Sequence, residues 1–71
     1  MDTRGKVKIK DMDKSDEVYV NGAFAGTVDK LKNMRLNPGN YAIQINREGR
    51  ELINRHMYVV SGKTVEINVN S

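Results

Sequence analysis

The sequence predicts an all-β protein, a small antiparallel β-sandwich of about seven short strands joined by tight turns. Apolar and polar residues alternate with a period of two, and no stretch shows the 3.6-residue apolar period of an amphipathic helix. Turn residues interrupt the alternation every ~8–12 residues, as in β-sandwiches. The 71-residue length allows a single domain with a thin core.

The first predicted strand is Gly5–Lys10, in which Val7 and Ile9 face the core and lysines occupy the alternate positions. A lysine row is typical of an edge strand, because charge there opposes pairing with a second molecule. We therefore predict an edge strand. The alternative is a basic ridge that binds phosphate or an acidic glycan.

The next segment, Asp11–Glu17, is polar and places side-chain oxygens at intervals like those of a calcium loop. An EF-hand loop requires Gly at its sixth position and Glu at its twelfth. Asp16 and Gly22 stand at those positions. We interpret the segment as a solvated connector.

A β-hairpin is predicted over Val18–Gly26, because Asn21-Gly22 is the preferred pair for a type I′ turn. The turn sets three predicted pairs: Val20 with Ala23, Tyr19 with Phe24, and Val18 with Ala25. Tyr19 and Phe24 then form an aromatic cross-strand pair on one face of the hairpin. If any surface binds a partner, we expect this aromatic pair to contact it.

The middle of the chain is less regular. Thr27–Asn33 permits a short helical turn, and Met34–Leu36 resembles a brief strand. Pro38 and Gly39 stand at the central positions of a predicted type II turn, because Pro presets φ and Gly supplies a positive φ.

The clearest strand is Tyr41–Asn46, which directs Tyr41, Ile43 and Ile45 to the core. A turn with Glu48 and Gly49 at its centre follows, and it places Ile45 opposite Leu52. Along the next strand the apolar residues change from one set of alternate positions to the other, which predicts a bulge near Asn54-Arg55.

Gly62 marks the last turn, and Thr64–Val69 alternates cleanly with Val65, Ile67 and Val69 inward. We predict that this strand pairs with the preceding one through a three-residue loop, with Val59 opposite Val65 and Met57 opposite Ile67. This register buries the most apolar surface and leaves His56 outside.

The composition argues against a disulfide-rich domain and against a membrane span. The net charge is +3, there is no cysteine, and no apolar run approaches the ~18 residues of a membrane span. Residues 1–4 are interpreted as a short leader or as the edge of a segment excised from a longer protein. Residues 5–70 form the predicted domain.

No catalytic constellation is evident. His56 is the single histidine, and neither Ser15 nor Ser61 lies in a nucleophile-elbow pattern. We therefore expect no catalytic residue, no metal site and no cofactor.

The ordered motifs resemble the PEGA domain family. They are Val18-Tyr19-Val20-Asn21-Gly22, then Gly26, then Leu36-Asn37-Pro38-Gly39-Asn40-Tyr41, then Gly49, and finally Val59, Gly62 and Val65-Ile67-Val69. The family's Pro-Glu-Gly-Ala sequence falls on Asp13-Lys14-Ser15-Asp16. The resemblance implies a small β-sandwich without catalytic residues. Such modules are often found in repeats or beside other domains in bacterial and archaeal envelope proteins.

The predicted function is therefore that of a non-catalytic structural or interaction module. It would mediate contacts with neighbouring domains of a parent protein or with a cell-envelope polysaccharide, as a monomer outside the cell or in its envelope. A cytoplasmic location stays open. The alternative is a small basic β-barrel that binds single-stranded nucleic acid or another polyanion. In that case Tyr19, Phe24 and Tyr58 would stack on bases beside Arg47, Arg50 and Arg55. We favour the first function because aromatic residues are few and no ribonucleoprotein-type motif is present.

Overall fold

The computed structural model describes residues 3–31 and 33–68. In chain order the elements are β1 (Gly5–Lys10), β2 (Glu17–Val20), β3 (Ala23–Thr27), α1 (Val28–Leu31), β4 (Asn33–Leu36), β5 (Gly39–Arg47), β6 (Arg50–Val59) and β7 (Thr64–Asn68). The predicted helical turn after Thr27 is confirmed as α1, and the brief strand after it as β4.

Two sheets pack face to face, which confirms the predicted all-β sandwich. One sheet has the strand order β3-β2-β5-β6 and the other β4-β1-β7. The fully or nearly fully buried apolar side chains come from both sheets and from α1. They are Val7, Ile9, Val18, Val28, Met34, Ile43, Ile45, Ile53, Val59 and Ile67.

The prediction that Gly5–Lys10 is an edge strand is wrong, because β1 lies at the centre of the three-stranded sheet. Its neighbours are antiparallel β4 and parallel β7, with Val7 opposite both Met34 and Val65. The predicted hairpin between the last two strands is also wrong, because β6 and β7 belong to different sheets. Val65 and Ile67 are inward as predicted, and Val69 lies outside the described residues. Alternation specified the buried side of the last strand, but it could not specify the neighbouring strand.

The first hairpin closes through Asn21 and Gly22, whose φ angles of 52° and 83° are those of a type I′ turn. The predicted pairs next to the turn are confirmed. The third predicted pair is wrong, because Val18 lies opposite Gly26 and Ala25 forms a β-bulge. The tip of the hairpin is tied to β5, since the backbone N–H of Ala42 donates to Asn21 Oδ1 over 2.9 Å.

The second hairpin turns at Glu48 and Gly49, with φ angles of 51° and 78°. The predicted pairing of Ile45 with Leu52 is wrong, because Ile45 lies opposite Ile53. The phase switch that predicted a bulge near Asn54-Arg55 is present, but the extra residue is Leu52. Because Leu52 has no partner on β5, the chain can form the tight turn and still direct Ile53 to the core.

The Pro38-Gly39 segment is a bend at which the chain passes from one sheet to the other, and the predicted type II turn is wrong. Gly39 has a φ of 153°, far from the ~80° that a type II turn requires. The chain crosses between sheets here, because β4 pairs with β1 whereas β5 pairs with β2 and β6. The Tyr41 hydroxyl donates to the Asn37 carbonyl over 2.7 Å and braces the bend.

Candidate interaction surfaces

The four-stranded sheet presents one face to solvent, which we call the aromatic face. Phe24, Tyr19, Gln44 and Asn54 form a continuous row across its four strands. Side chains alternate between the two faces of a strand, so the other members follow from the same register. We restrict the name aromatic face to this row and the positions toward Tyr58, namely Phe24, Tyr19, Gln44, Asn54, Ala42, His56, Asn40 and Tyr58. Glu17 and Asn46 lie on the same side of the sheet, beyond the row in the other direction.

The predicted aromatic pair lies at one corner of this face. The ring centroids of Tyr19 and Phe24 are 5.6 Å apart with an interplanar angle of 64°, an edge-to-face arrangement. Phe24 is 58% exposed. Tyr19 is half-buried and contacts the Phe24 ring, and Phe24 offers an apolar surface to solvent.

A third aromatic ring stands at the diagonally opposite corner. Tyr58 is 59% exposed and lies on β6, at the other edge of the sheet. Three strand spacings separate the two edges, about 14 Å at ~4.8 Å per strand. The residues between the corners are small or polar, so the face is suited to an extended ligand.

Amide side chains populate the part of the face between the aromatic corners. Gln44 Nε2 donates to Asn46 Oδ1 over 2.9 Å, which orients both amides. Asn54 Nδ2 donates to Glu51 Oε1 over 3.4 Å at the margin. These groups can exchange hydrogen bonds with hydroxyl-rich or peptide partners without a net charge.

The polar connector holds a structural ion pair that the sequence analysis missed. Asp16 has a side chain that is 0% exposed, although the segment was predicted to be solvated. Its two carboxylate oxygens accept from Nε and Nη2 of Arg47, each over 2.8 Å. Oδ2 also accepts from the backbone N–H of Asp13 over 3.0 Å. The partners are 31 residues apart, so no local pattern could have revealed the pair.

This ion pair is structural because it joins the connector before β2 to the end of β5. The Arg47 hydrogen bonds hold the pKa of Asp16 below its ordinary value of 3.8, and they outweigh burial, which acts in the opposite direction. The backbone carbonyl of Asp16 accepts from Val28 N over 2.9 Å, which joins the connector to α1. Arg47, which the nucleic-acid alternative required on the surface, is therefore engaged in a bidentate pair.

The other residues predicted from the sequence shape the backbone or lie on surfaces. Gly62 has a φ of 74° in the last turn, and His56 is exposed on the aromatic face. Within residues 3–31 and 33–68, no group of three or more His, Cys, Asp or Glu side chains could hold a metal ion. The described part of the chain also contains no helix long and apolar enough to span a bilayer.

The outer face of the three-stranded sheet is basic. Lys6, Lys8 and Lys10 project from β1, and Arg35 lies opposite Lys6 on β4. Glu66 on β7 forms an ion pair with Lys10, with 3.3 Å between Nζ and Oε1. The positive charge is therefore concentrated toward the Lys6 end of the sheet.

Comparison with known proteins identifies the family. The PEGA domain model matches residues 4–70 of the 71-residue chain, which includes both sheets. Searches of curated proteins and of solved structures give no significant match. The ordered turn motifs, the seven-strand sandwich and this near-complete match together show that the chain belongs to the PEGA domain family.

Proposed function

We propose that this protein is a non-catalytic interaction module whose aromatic face binds a neutral polysaccharide of the cell envelope. The observation that carries the proposal is the position of Phe24 and Tyr58, which are 58% and 59% exposed on one face. Burying large apolar groups is favourable, so rings left in solvent at fixed positions indicate a contact surface.

The chemistry between the rings favours a glycan. A sugar presents apolar C–H faces, which pack on aromatic rings, and hydroxyl groups, which exchange hydrogen bonds with amides. The aromatic face offers both, with Gln44 and Asn54 in the same row as the aromatic pair. Its distance of about 14 Å from edge to edge, at ~4.8 Å per strand, suits a polymer of several sugar units.

The same face is poorly suited to nucleic acid. Its eight residues include no lysine or arginine, although a groove for a nucleic-acid strand is positively charged. PEGA domains are small β modules that are not known to be catalytic, and they occur generally in extracellular or envelope proteins. Both facts support a non-catalytic module outside the cytoplasm. We propose that it acts as a monomer beside other domains of a parent protein.

Affinity electrophoresis tests the proposal. The protein is run through native gels that contain hydroxyethyl cellulose or glycol chitin, and its retardation is measured. We expect at least one polymer to retard the wild type, and the Tyr19→Ser/Phe24→Ser variant to migrate as in a gel without polymer. Retardation should change little between low and high salt, because the face carries few charges.

The matched control is Lys14→Ser/Lys30→Ser, which changes two exposed side chains on the connector and on α1, outside the four-stranded sheet. It should be retarded as strongly as the wild type. If no polymer retards the wild type, or if the aromatic variant and the control behave alike, the glycan function is wrong. Co-purification of an added neighbouring protein domain by the wild type, with no retardation in any gel, would assign the face to a protein partner instead.

A further inference from the structure

The lysine row of β1 requires an explanation other than edge protection. Lysine protects a strand whose backbone groups are unpaired. β1 has hydrogen-bonded neighbours on both sides, so no free edge is present there. The side chains nevertheless project from the middle of the sheet.

The two ends of the lysine row differ in their charged neighbours. At one end Lys10 forms an ion pair with Glu66 on β7. At the other end Lys6 lies directly opposite Arg35 on β4.

Further cations join Lys6 at the end of the sheet, around a cavity of about 280 Å³ that we call the basic cavity. It is lined by Arg4, Gly5, Lys6, Arg35, Gly62, Lys63 and Thr64. Four of these residues are cationic and none is acidic. A concave site lined by charges of one sign concentrates its field and attracts counter-ions.

The fold holds these cations together through the backbone. Lys6 N donates to Lys63 O over 2.9 Å, and Gly62 N donates to Arg4 O over 3.3 Å. The last turn is thereby attached to the start of β1. The cationic side chains therefore converge on one cavity from backbone positions that are already ordered.

We propose that the basic cavity binds the anionic groups of an acidic polysaccharide, with sulfate, phosphate or carboxylate oxygens between Lys6 and Lys63. Lys8 continues the row along the sheet and extends the site for a polymer. The outward positions of β4, β1 and β7 within residues 33–36, 5–10 and 64–68 carry no aromatic ring. A single-stranded nucleic acid would lack the stacking platform it requires, so the acidic polysaccharide is favoured. This site lies on the opposite sheet from the aromatic face and does not depend on the function proposed there.

The test measures binding of fluorescein-labelled dextran sulfate by fluorescence anisotropy, with labelled neutral dextran of equal length as the uncharged probe. The test variant is Lys6→Gln/Lys63→Gln. The matched control is Lys14→Gln/Lys30→Gln, which removes the same two charges from exposed lysines away from the cavity. Circular dichroism melting curves verify that both variants keep the wild-type fold.

We expect the wild type to bind dextran sulfate and not dextran. The cavity variant should lose about tenfold or more in affinity, because hydrogen bonds to charged groups are strong. Its plot of log K against log salt should be shallower than that of the wild type, because fewer counter-ions are released when two cations are missing. The lysine control and the Tyr19→Ser/Phe24→Ser variant should both stay within about twofold of the wild type, as surface changes outside the site do.

Equal weakening of the two lysine variants would show an effect of net charge alone and would overturn the cavity site. Failure of the wild type to bind dextran sulfate would overturn it as well. Tighter binding of a thymidine oligonucleotide than of dextran sulfate, at matched charge and salt, would overturn the choice of polysaccharide. Full inhibition by millimolar inorganic phosphate would show that the site binds a small anion, and it would contradict the proposal that the ligand is a polymer.

Discussion

Replacing Asp16 by asparagine should destabilise the fold, although the two side chains are nearly the same size. The buried carboxylate accepts two hydrogen bonds from Arg47, each over 2.8 Å, and one from the Asp13 backbone. The asparagine amide keeps one acceptor oxygen but turns its NH₂ group toward a guanidinium that only donates. One bidentate, charge-assisted contact therefore becomes a single bond next to an unfavourable donor–donor contact.

The expected loss of unfolding free energy depends on how exposed the Asp16 and Arg47 side chains are. Hydrogen bonds to charged groups contribute about 1.5–3 kcal/mol each, and an unsatisfied buried group adds to the loss. The Arg47 side chain is 39% exposed, so water replaces part of what the guanidinium loses. We therefore expect the free energy of unfolding to fall by about 1.5–2 kcal/mol, the lower part of that range.

Urea denaturation followed by circular dichroism measures this loss. With a slope of ~1 kcal/mol per molar for a small domain, the midpoint should move down by about 1.5–2 M. Asp13→Asn is the matched control, because it removes the same charge from a side chain that is 67% exposed and 3.3 Å from Arg47. It should change stability by less than about 0.5 kcal/mol. An Asp16→Asn variant as stable as the wild type, or a control that loses as much, would refute the reasoning.

The same pair predicts how stability depends on pH. The pKa of Asp16 is lowered in the folded protein, mainly by the Arg47 hydrogen bonds, so the folded state favours the charged carboxylate. This stabilisation is present above the ordinary pKa of 3.8 and is lost as the pH falls through the lower, folded value. The difference in unfolding free energy between the wild type and Asp16→Asn should therefore be constant near neutral pH and shrink in acid. Urea titrations at several pH values measure it, and a difference that grows on acidification would contradict the assignment.

Two further predictions concern packing, and urea denaturation measures both. Gly5→Ala should cost about 1–3 kcal/mol through overpacking, because its Cβ would lie 2.4 Å from Val59 Cγ1 and 2.5 Å from the Val60 carbonyl oxygen. A fully stable Gly5→Ala variant would mean that β1 and the end of β6 are not in close contact. Ile43→Ala should cost about 2–5 kcal/mol, because this side chain is 0% exposed. The control is Tyr58→Ala, which should change the free energy of unfolding by less than about 0.5 kcal/mol because the ring is largely exposed. Similar losses for Ile43→Ala and Tyr58→Ala would argue against the assigned sheet faces.

Particular residues show where prediction from the sequence succeeded. Val7, Ile43 and Ile67 were assigned to the core from alternation alone, and each is 0% exposed. The Asn21-Gly22 pair predicted the first hairpin and the contact between Tyr19 and Phe24. These features are local, because alternation and turn preference act over a few neighbouring residues.

Other features could not be predicted from local patterns. Ala25 and Leu52 are bulged residues. Their positions depend on two requirements at once, the geometry of each hairpin turn and the burial of apolar residues farther along the strands. The pair between Asp16 and Arg47 joins segments 31 residues apart, and nothing near Asp16 in the sequence distinguishes it from its exposed neighbours. Its role became visible only when the connector was placed against the second hairpin.

The amino-acid sequence decided which side of each strand is apolar and where the chain reverses, because both depend on side-chain chemistry over short distances. The tertiary structure decided which strands are neighbours. It placed β1 between β4 and β7, and the lysine row therefore lies in the middle of a sheet. A period of two encodes inside and outside, and it is equally compatible with any neighbouring strand. The choice among neighbours is made by packing two sheets around one core, and that packing also brings the cations of the basic cavity together.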